Sequence, residues 1–277
     1  MNILVDSGAT KANWAAVQQG KIIHQIQTQG ISPYFLSDEG IVDVLREVRS
    51  KISDPVQEIH FYSTGCKAED QRRRMHQLLR LMFQEATTVN VETDLLAAAR
   101  SMAQHQAGII GILGTGSNAC RYDGQTIVET AGGLGFILGD EGSGAGIGKA
   151  IIQAFLNREM PEYLREDLNN QYHLTRDNIL QSVYQLPYPN RFLSTFAPFA
   201  NEHRNDPCIK GILDDQFRLF FERSVMVLEE SKNLPVHFVG SVASFFSEEI
   251  WRSAVQLGLI LGNTEKDPMP GLVMYHQ

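Results

Sequence analysis

Two short loops carry the residues best suited to meet phosphate. Ser7-Gly8-Ala9-Thr10-Lys11 follows the apolar run Ile3-Leu4-Val5, which ends at Asp6. Gly114-Thr115-Gly116-Ser117-Asn118 follows Gly108-Ile109-Ile110-Gly111-Ile112-Leu113. Backbone N–H groups in small-residue turns converge on phosphate oxygens, and missing side chains let the anion approach. Either loop alone also reads as a plain hairpin turn; two in equivalent settings favour a polyphosphate cradled from both sides. Asp6 is either a turn-forming aspartate or an outer ligand of Mg2+, because a carboxylate beside phosphate needs a cation between them. Lys11 either meets the phosphates or is a solvated hairpin lysine. Asp94, between Val89-Asn90-Val91-Glu92-Thr93 and the alanine-rich Leu95 to Met102, suits a helix N-cap. It equally suits a base that takes a hydroxyl proton as phosphoryl transfer proceeds, and one carboxylate can do both. Asp140-Glu141 are the only charges between Gly132 and Gly144. Paired carboxylates there suit either the vicinal hydroxyls of a sugar or an acidic helix start.

Competing phosphate motifs fail. A Walker A loop ending at Gly148-Lys149 needs glycine at position 143 and Ser or Thr at 150, where the chain has Ser143 and Ala150. A dinucleotide fingerprint starting at Gly142 or Gly144 meets Ile147 or Lys149 in its sixth position. Thirteen of the 23 glycines nevertheless fall between Gly108 and Gly148. Glycine costs conformational entropy, so such a concentration needs a local reason.

The elements that must position these residues follow an α/β order. A meander of strands, Ile3–Val5, Asn13–Val17 and Ile22–Ile26, is followed by a helix over Asp38–Ser50, a strand over Ile59–Tyr62 closed by Ser63-Thr64-Gly65, a helix over Arg72–Glu85 and a strand over Val89–Val91. The meander recurs at Gly108–Leu113, Ala119–Tyr122 and Thr126–Glu129, with turn glycines Gly20 and Gly124 in matching places. Ile147 to Lys232 is largely helical, Val236–Val239 is a strand ending at Gly240-Ser241-Val242-Ala243, and a short helix over Gly271–Gln277 closes the chain. We read two related α/β lobes: residues 1–104, with 266–277 packing back on them, and 105–265, with a helical insertion over about 150–232. Arg72-Arg73-Arg74 reads as a solvated helix face.

Composition narrows the class. The 277 residues carry 24 basic and 32 acidic side chains, net charge −8, which argues against a nucleic-acid partner. Met1-Asn2-Ile3-Leu4-Val5-Asp6 lacks the n- and h-regions of a signal peptide. Ser101 to Cys120, free of Asp, Glu, Lys and Arg, is too broken by polar residues to span a bilayer. Cys66, Cys120 and Cys208 are odd in number and far apart, so a disulfide framework is not expected and a reducing cytoplasm fits.

Taken together, Asp6–Lys11, Leu113–Asn118, Gly139-Asp140-Glu141-Gly142-Ser143-Gly144 and Gly240–Ala243, in this order, resemble the BadF/BadG/BcrA/BcrD-type ATPase family, in particular its N-acetylglucosamine kinase branch. The resemblance runs from Asn2 to the closing Pro270–His276. It implies an actin-like (ribonuclease H-like) fold of two duplicated lobes, with ATP and Mg2+ in an interlobe cleft. It implies an amino sugar, most simply N-acetylglucosamine, phosphorylated on its primary hydroxyl. By resemblance, Ser7, Gly8, Ala9, Thr10 and Lys11 form the first phosphate loop and Gly114, Thr115, Gly116 and Ser117 the second. Gly240, Ser241 and Val242 lie on the nucleoside side, and Asp94 is the catalytic base. Asp140 is a sugar-hydroxyl ligand, and Thr115, Asn118, Gly133, Leu134 and Ser32 lie at or near the sugar. Leu134 stands where such kinases often carry an aromatic residue, and Ser32 where asparagine is expected; both departures concern specificity. The partners implied are a sugar and ATP, and a homodimer is compatible with them. The alternative is a regulatory or activator ATPase, which in this family holds an iron–sulfur cluster through paired cysteines; a sugar sensor without turnover is a third reading.

Overall fold

The computed structural model describes residues 1–8, 11–34 and 36–277. They form two compact units, one of Met1–Gln106, Gly124–Thr126 and Asp267–Gln277, the other of Ala107–Asp123 and Ile127–Lys266. The first unit contains β1 (Asn2–Ser7), β2 (Lys11–Gln18), β3 (Lys21–Gln29), α1 (Asp38–Ser50), β4 (Glu58–Ser63), α2 (Glu69–Met82), β5 (Thr88–Thr93) and α3 (Asp94–Ala103). The second contains β6 (Gly108–Leu113), β7 (Ser117–Tyr122), β8 (Ile127–Gly132), α4 (Gly135–Leu138), α5 (Gly144–Leu156), α6 (Glu162–Tyr172), α7 (Arg176–Tyr184), α8 (Pro189–Ser194), α9 (Ala197–Glu202) and α10 (Pro207–Phe220). A π turn (Phe221–Val225), β9 (Pro235–Val239), α11 (Ser241–Phe245), α12 (Ser247–Gln256) and β10 (Ile260–Glu265) complete it, and α13 (Met269–Tyr275) belongs to the first unit.

Each unit is built on a five-stranded mixed sheet, in the order β3-β2-β1-β4-β5 and β8-β7-β6-β9-β10. The pairing senses agree: the first strand of each copy is antiparallel to the second and parallel to the fourth. A register shift interrupts the second hairpin in both copies, at Ala16/Val17 and at Arg121/Tyr122. Agreement in order, sense and irregularity makes the two sheets repeats of one plan. The central strands β1 and β6 are buried almost throughout, as their continuous apolar runs require.

Helices cover these sheets through ordinary amphipathic faces. Ser37 caps α1 by accepting from Gly40 N, and Ile41, Val44, Leu45 and Val48 go into the core. Helix α2 starts and ends three residues earlier than its apolar spacing suggests, with Glu69 and Asp70 in its first turn and Phe83 buried at its end. Its arginines also differ from expectation. Arg72 donates to the carbonyls of Cys66 and Lys67, and Arg74 to those of Pro33 and Leu36, so two of the three hold loops in place. In the second unit the aromatic core of Phe196, Phe199, Phe217, Phe220, Phe221, Phe238 and Phe246 packs the helical segment against its sheet. Helix α13 packs on α3 and β1, burying Met269, Leu272 and Val273 with Leu4, Ala15, Tyr62 and Ala97. It begins two residues before Gly271 because Pro270 is tolerated in a first turn. Ser241 to Ala243, read in the sequence only as the close of the preceding strand, are helical (α11). Among the described residues no helix is long and apolar enough to cross a membrane.

Candidate active site

In the first unit three parallel strands end together. Asp6 pairs with Tyr62, Ser7 with Ser63, and Ser63 with Thr93, so Asp6, Thr64 and Asp94 reach the same carboxyl edge of the sheet. That edge is where open α/β sheets bind ligands. Asp94 is the first residue of α3, and the cap is Thr93, whose hydroxyl accepts from Leu96 N at 3.2 Å. The Asp94 carboxylate accepts from Leu95 N at 2.9 Å, with the Thr64 side chain beside it. Burial raises its pKa, with these contacts and Lys67 opposing. Asp6 is raised from 3.8 to about 7, first by burial and then by the charges of Asp267 and Asp94, with Lys11 opposing. Thr64 and Asp267 are the functional neighbours that sequence reasoning missed. Thr64 showed only as a strand-end residue, and Asp267 lies far along the chain, where its carboxylate also accepts from Met269 N.

Two other expected residues, Ser7 and Gly8, have structural duties here. The Ser7 hydroxyl is buried, donates to Ile31 O and accepts from Ile31 N, with Ser63 donating to the same carbonyl. Gly8 N donates to Lys11 O across the loop. Ser32 is buried beside Gly65, and its hydroxyl has no partner among the described residues. Lys11 is exposed. Ala9 and Thr10 lie outside the described residues.

In the second unit the loop of Gly114, Thr115 and Gly116 is docked onto the start of α5. Gly144 N and Ala145 N donate to the carbonyls of Gly114 and Thr115 at 2.8 and 3.0 Å. Ser143 caps that helix by accepting from Gly146 N. Asp140, buried and in the left-handed region at φ +60, accepts from Ser117 N at 3.2 Å and so braces the loop from behind. Its pKa is raised, first by burial. Glu141 is not free to act beside it, because it pairs with Arg223 of the π turn. Gly133 lies against the Asn118 side-chain amide, whose Oδ1 accepts from Ala119 N. Leu134 is 64% exposed. Gly240 is required: at φ +126, a Cβ would lie 2.3 Å from the Leu113 carbonyl oxygen. This close approach seats Ser241 and the buried Val242 beside the Gly114 loop.

That loop forms one wall of a cavity of about 360 Å3, a size typical of small-molecule sites. Gly114, Thr115 and Gly144 line this side with Ser241 and Val242. Helix α9 adds Ala197, Pro198, Asn201 and Glu202, and α11 adds Phe245, which is 54% exposed and has Lys266 over its ring at 5.3 Å. Sequence reasoning missed the α9 and Phe245 contributions, since neither segment carries a small-residue or acidic signature. Ser194 and Phe246 also line it.

Comparison with known proteins places the chain. Residues 5–161 match the model of the BadF/BadG/BcrA/BcrD ATPase family. The chain belongs to this family. A candidate N-acetylglucosamine kinase from Porphyromonas gingivalis has a crystal structure with TM-score 0.94 and 36% identity, covering 100% of this chain and 98% of that one. Another from Chromobacterium violaceum shares the fold at TM-score 0.76 and 18% identity, with coverages of 100% and 98%. The N-acetyl-D-glucosamine kinase of Dictyostelium discoideum is 23% identical over 255 residues, 86% of this chain and 77% of its own. With its two repeated α/β units, this family member has the actin-like fold expected from its motifs.

Proposed function

We propose that this protein is an ATP-dependent sugar kinase that transfers the γ-phosphoryl of ATP to the primary hydroxyl of an amino sugar, N-acetylglucosamine. The observation that carries the reading is Asp94, a carboxylate held by Leu95 N, beside Thr64, at the sheet edge it shares with Asp6. A buried carboxylate with a raised pKa is a stronger base once ionised, as acceptance of a hydroxyl proton demands. The names of its relatives support the choice of sugar.

The cavity of the second unit suits the nucleoside. Pro198, Val242 and Phe245 offer apolar surface to a base, and Asn201 and Glu202 offer hydrogen bonds to base edge and ribose. Each unit has its own small-residue loop suited to phosphate, one at Gly8 with Lys11 supplying positive charge and one at Gly114 beside the cavity. Asp140, Asn118, Gly133 and Leu134 serve the sugar from the second unit, and Ser32 is the sugar-side candidate of the first. Mg2+ fits the acidic surroundings of Asp6, where the charges of Asp267 and Asp94 add to burial in raising its pKa. Among the described residues no three His, Cys, Asp or Glu gather into a metal cage, so the ion's remaining ligands are phosphate and water. Bound there, Mg2+ supplies neutralisation of phosphate charge; catalysis otherwise rests on positioning and the Asp94 base. The activator reading is not favoured: the relatives are named as kinases, and Cys66 and Cys120 are each buried, in different units, rather than presented as a pair. Three free cysteines, with Cys66 and Cys120 buried, support a cytoplasmic setting.

The test is an ADP-release screen over glucosamine, N-acetylglucosamine, N-acetylmuramic acid, glucose and N-acetylmannosamine. Stimulation greatest with N-acetylglucosamine is expected. Release that no sugar stimulates would remove the kinase reading and revive the activator one.

A further inference from the structure

The turn that follows α9 carries a side chain that ties together two walls of the nucleoside cavity. Arg204 donates through Nη2 to Asn201 Oδ1 on the α9 wall and to the Phe245 carbonyl on the α11 wall, 41 residues away. Its guanidinium lies 5.6 Å from the centre of the Phe246 ring. Asn201, Phe245 and Phe246 all line the cavity. Behind the guanidinium, Arg204 Nη1 is 3.7 Å from Oε1 of Glu249 on α12. Glu249 is only 5% exposed, and its other oxygen has no partner among the described residues. A buried carboxylate is costly unless a cation stands beside it, so Glu249 holds the guanidinium charge at this position.

We infer that Arg204 is a positioning residue for the nucleoside: it sets the separation of α9 and α11 and fixes the orientation of the Asn201 amide. With Asn201 Oδ1 taken by the guanidinium, the remaining hydrogen-bonding group of that side chain is its NH2 donor. A donor matches the ring nitrogens of a purine, which accept hydrogen bonds. The planar fork of arginine bonds two acceptors at once while facing a carboxylate, which the single ammonium of lysine cannot reproduce. Arg204 does not line the cavity, and its effect passes through Asn201 and Phe245. The inference rests on the reading that this cavity takes the nucleoside of ATP.

The experiment titrates ATP into the wild-type protein and Arg204→Lys by calorimetry, alongside steady-state kinetics with the preferred sugar. The variant keeps a positive charge for Glu249. We expect its Kd and KM for ATP to rise about tenfold, as loss of charge-assisted bonds at a binding site does, with kcat within about twofold and the sugar KM unchanged. Wild-type affinity for ATP in the variant, or a fall in kcat at unchanged KM, overturns the positioning role. Absence of ATP binding by the wild-type protein overturns the kinase reading instead. If Arg204→Lys does not fold, the double variant Arg204→Ala/Glu249→Gln leaves no buried charge alone. It is expected to bind ATP at least as weakly, and wild-type affinity there likewise overturns the role.

Discussion

Asp6→Asn should stabilise the ligand-free protein while abolishing its activity. Folding carries the Asp6 carboxyl from an ordinary 3.8 to about 7, through burial and the facing charges of Asp267 and Asp94. Between those values the folded state binds more protons than the unfolded one, so stability falls as pH rises from about 4 to about 7 and stays reduced above it. Three pKa units correspond to about 4 kcal/mol as a ceiling. Solvent at the rim and local relaxation leave roughly half, about 2 kcal/mol. The neutral amide of the variant suffers no such loss. At pH 8, in EDTA and without nucleotide, the variant should melt roughly 4–8 °C above wild type, the gap closing as pH falls towards 4. Thermal melts at pH 4.5, 6 and 8 read this directly. A variant melting at or below wild type at pH 8, or a gap independent of pH, would refute the assigned strain at Asp6. The same variant should lose Mg2+-dependent turnover, because the carboxylate strained without the cation is the one the cation needs.

Other outcomes follow from the same structure. Asp94→Asn should lower kcat by about 10^2–10^4 while ATP and sugar affinities stay within about twofold; near-normal turnover would remove Asp94 as the base. Gly240→Ala should cost at least about 3 kcal/mol in a denaturant melt, because a Cβ at φ +126 would lie 2.3 Å from Leu113 O. His276 is lowered from 6.5 to about 3, by burial first and then by His60 and Arg100. The unfolded chain therefore gains a proton as pH falls below about 6.5 while the folded one does not, and the packing of α13 weakens. Hydrogen exchange in α13, corrected for intrinsic rates, should be faster at pH 5 than at pH 7.5; equal protection would contradict this.

Much of the candidate site can be proposed from the sequence because its parts are local. The strand-to-loop passages at Asp6 and Leu113 combine an apolar run with small residues, a pattern that propensity and chemistry both mark. The repeat is legible because the two meanders share their turn glycines, and both sheets take the same order. The last strand and the helix before it are not. Strand β10, Ile260-Leu261-Gly262-Asn263-Thr264-Glu265, is an exposed edge with little β-forming character, and its place comes from pairing with β9. Helix α12 exposes Trp251 and Val255 beside its buried Ile250 and Ala254, which blurs its apolar face. Asp94 suits a helix cap by its type and place, but Thr93 takes that duty and leaves the carboxylate turned to Leu95 N and Thr64. The α9 wall of the cavity, with the arginine that braces it, exists only through contacts between distant segments.

The account stands or falls on the product. With ATP, Mg2+ and N-acetylglucosamine, phosphorus NMR should show a phosphomonoester coupled to the two protons of the sugar's primary carbon, formed one for one with ADP. Inorganic phosphate alone, with the sugar unchanged, would contradict it.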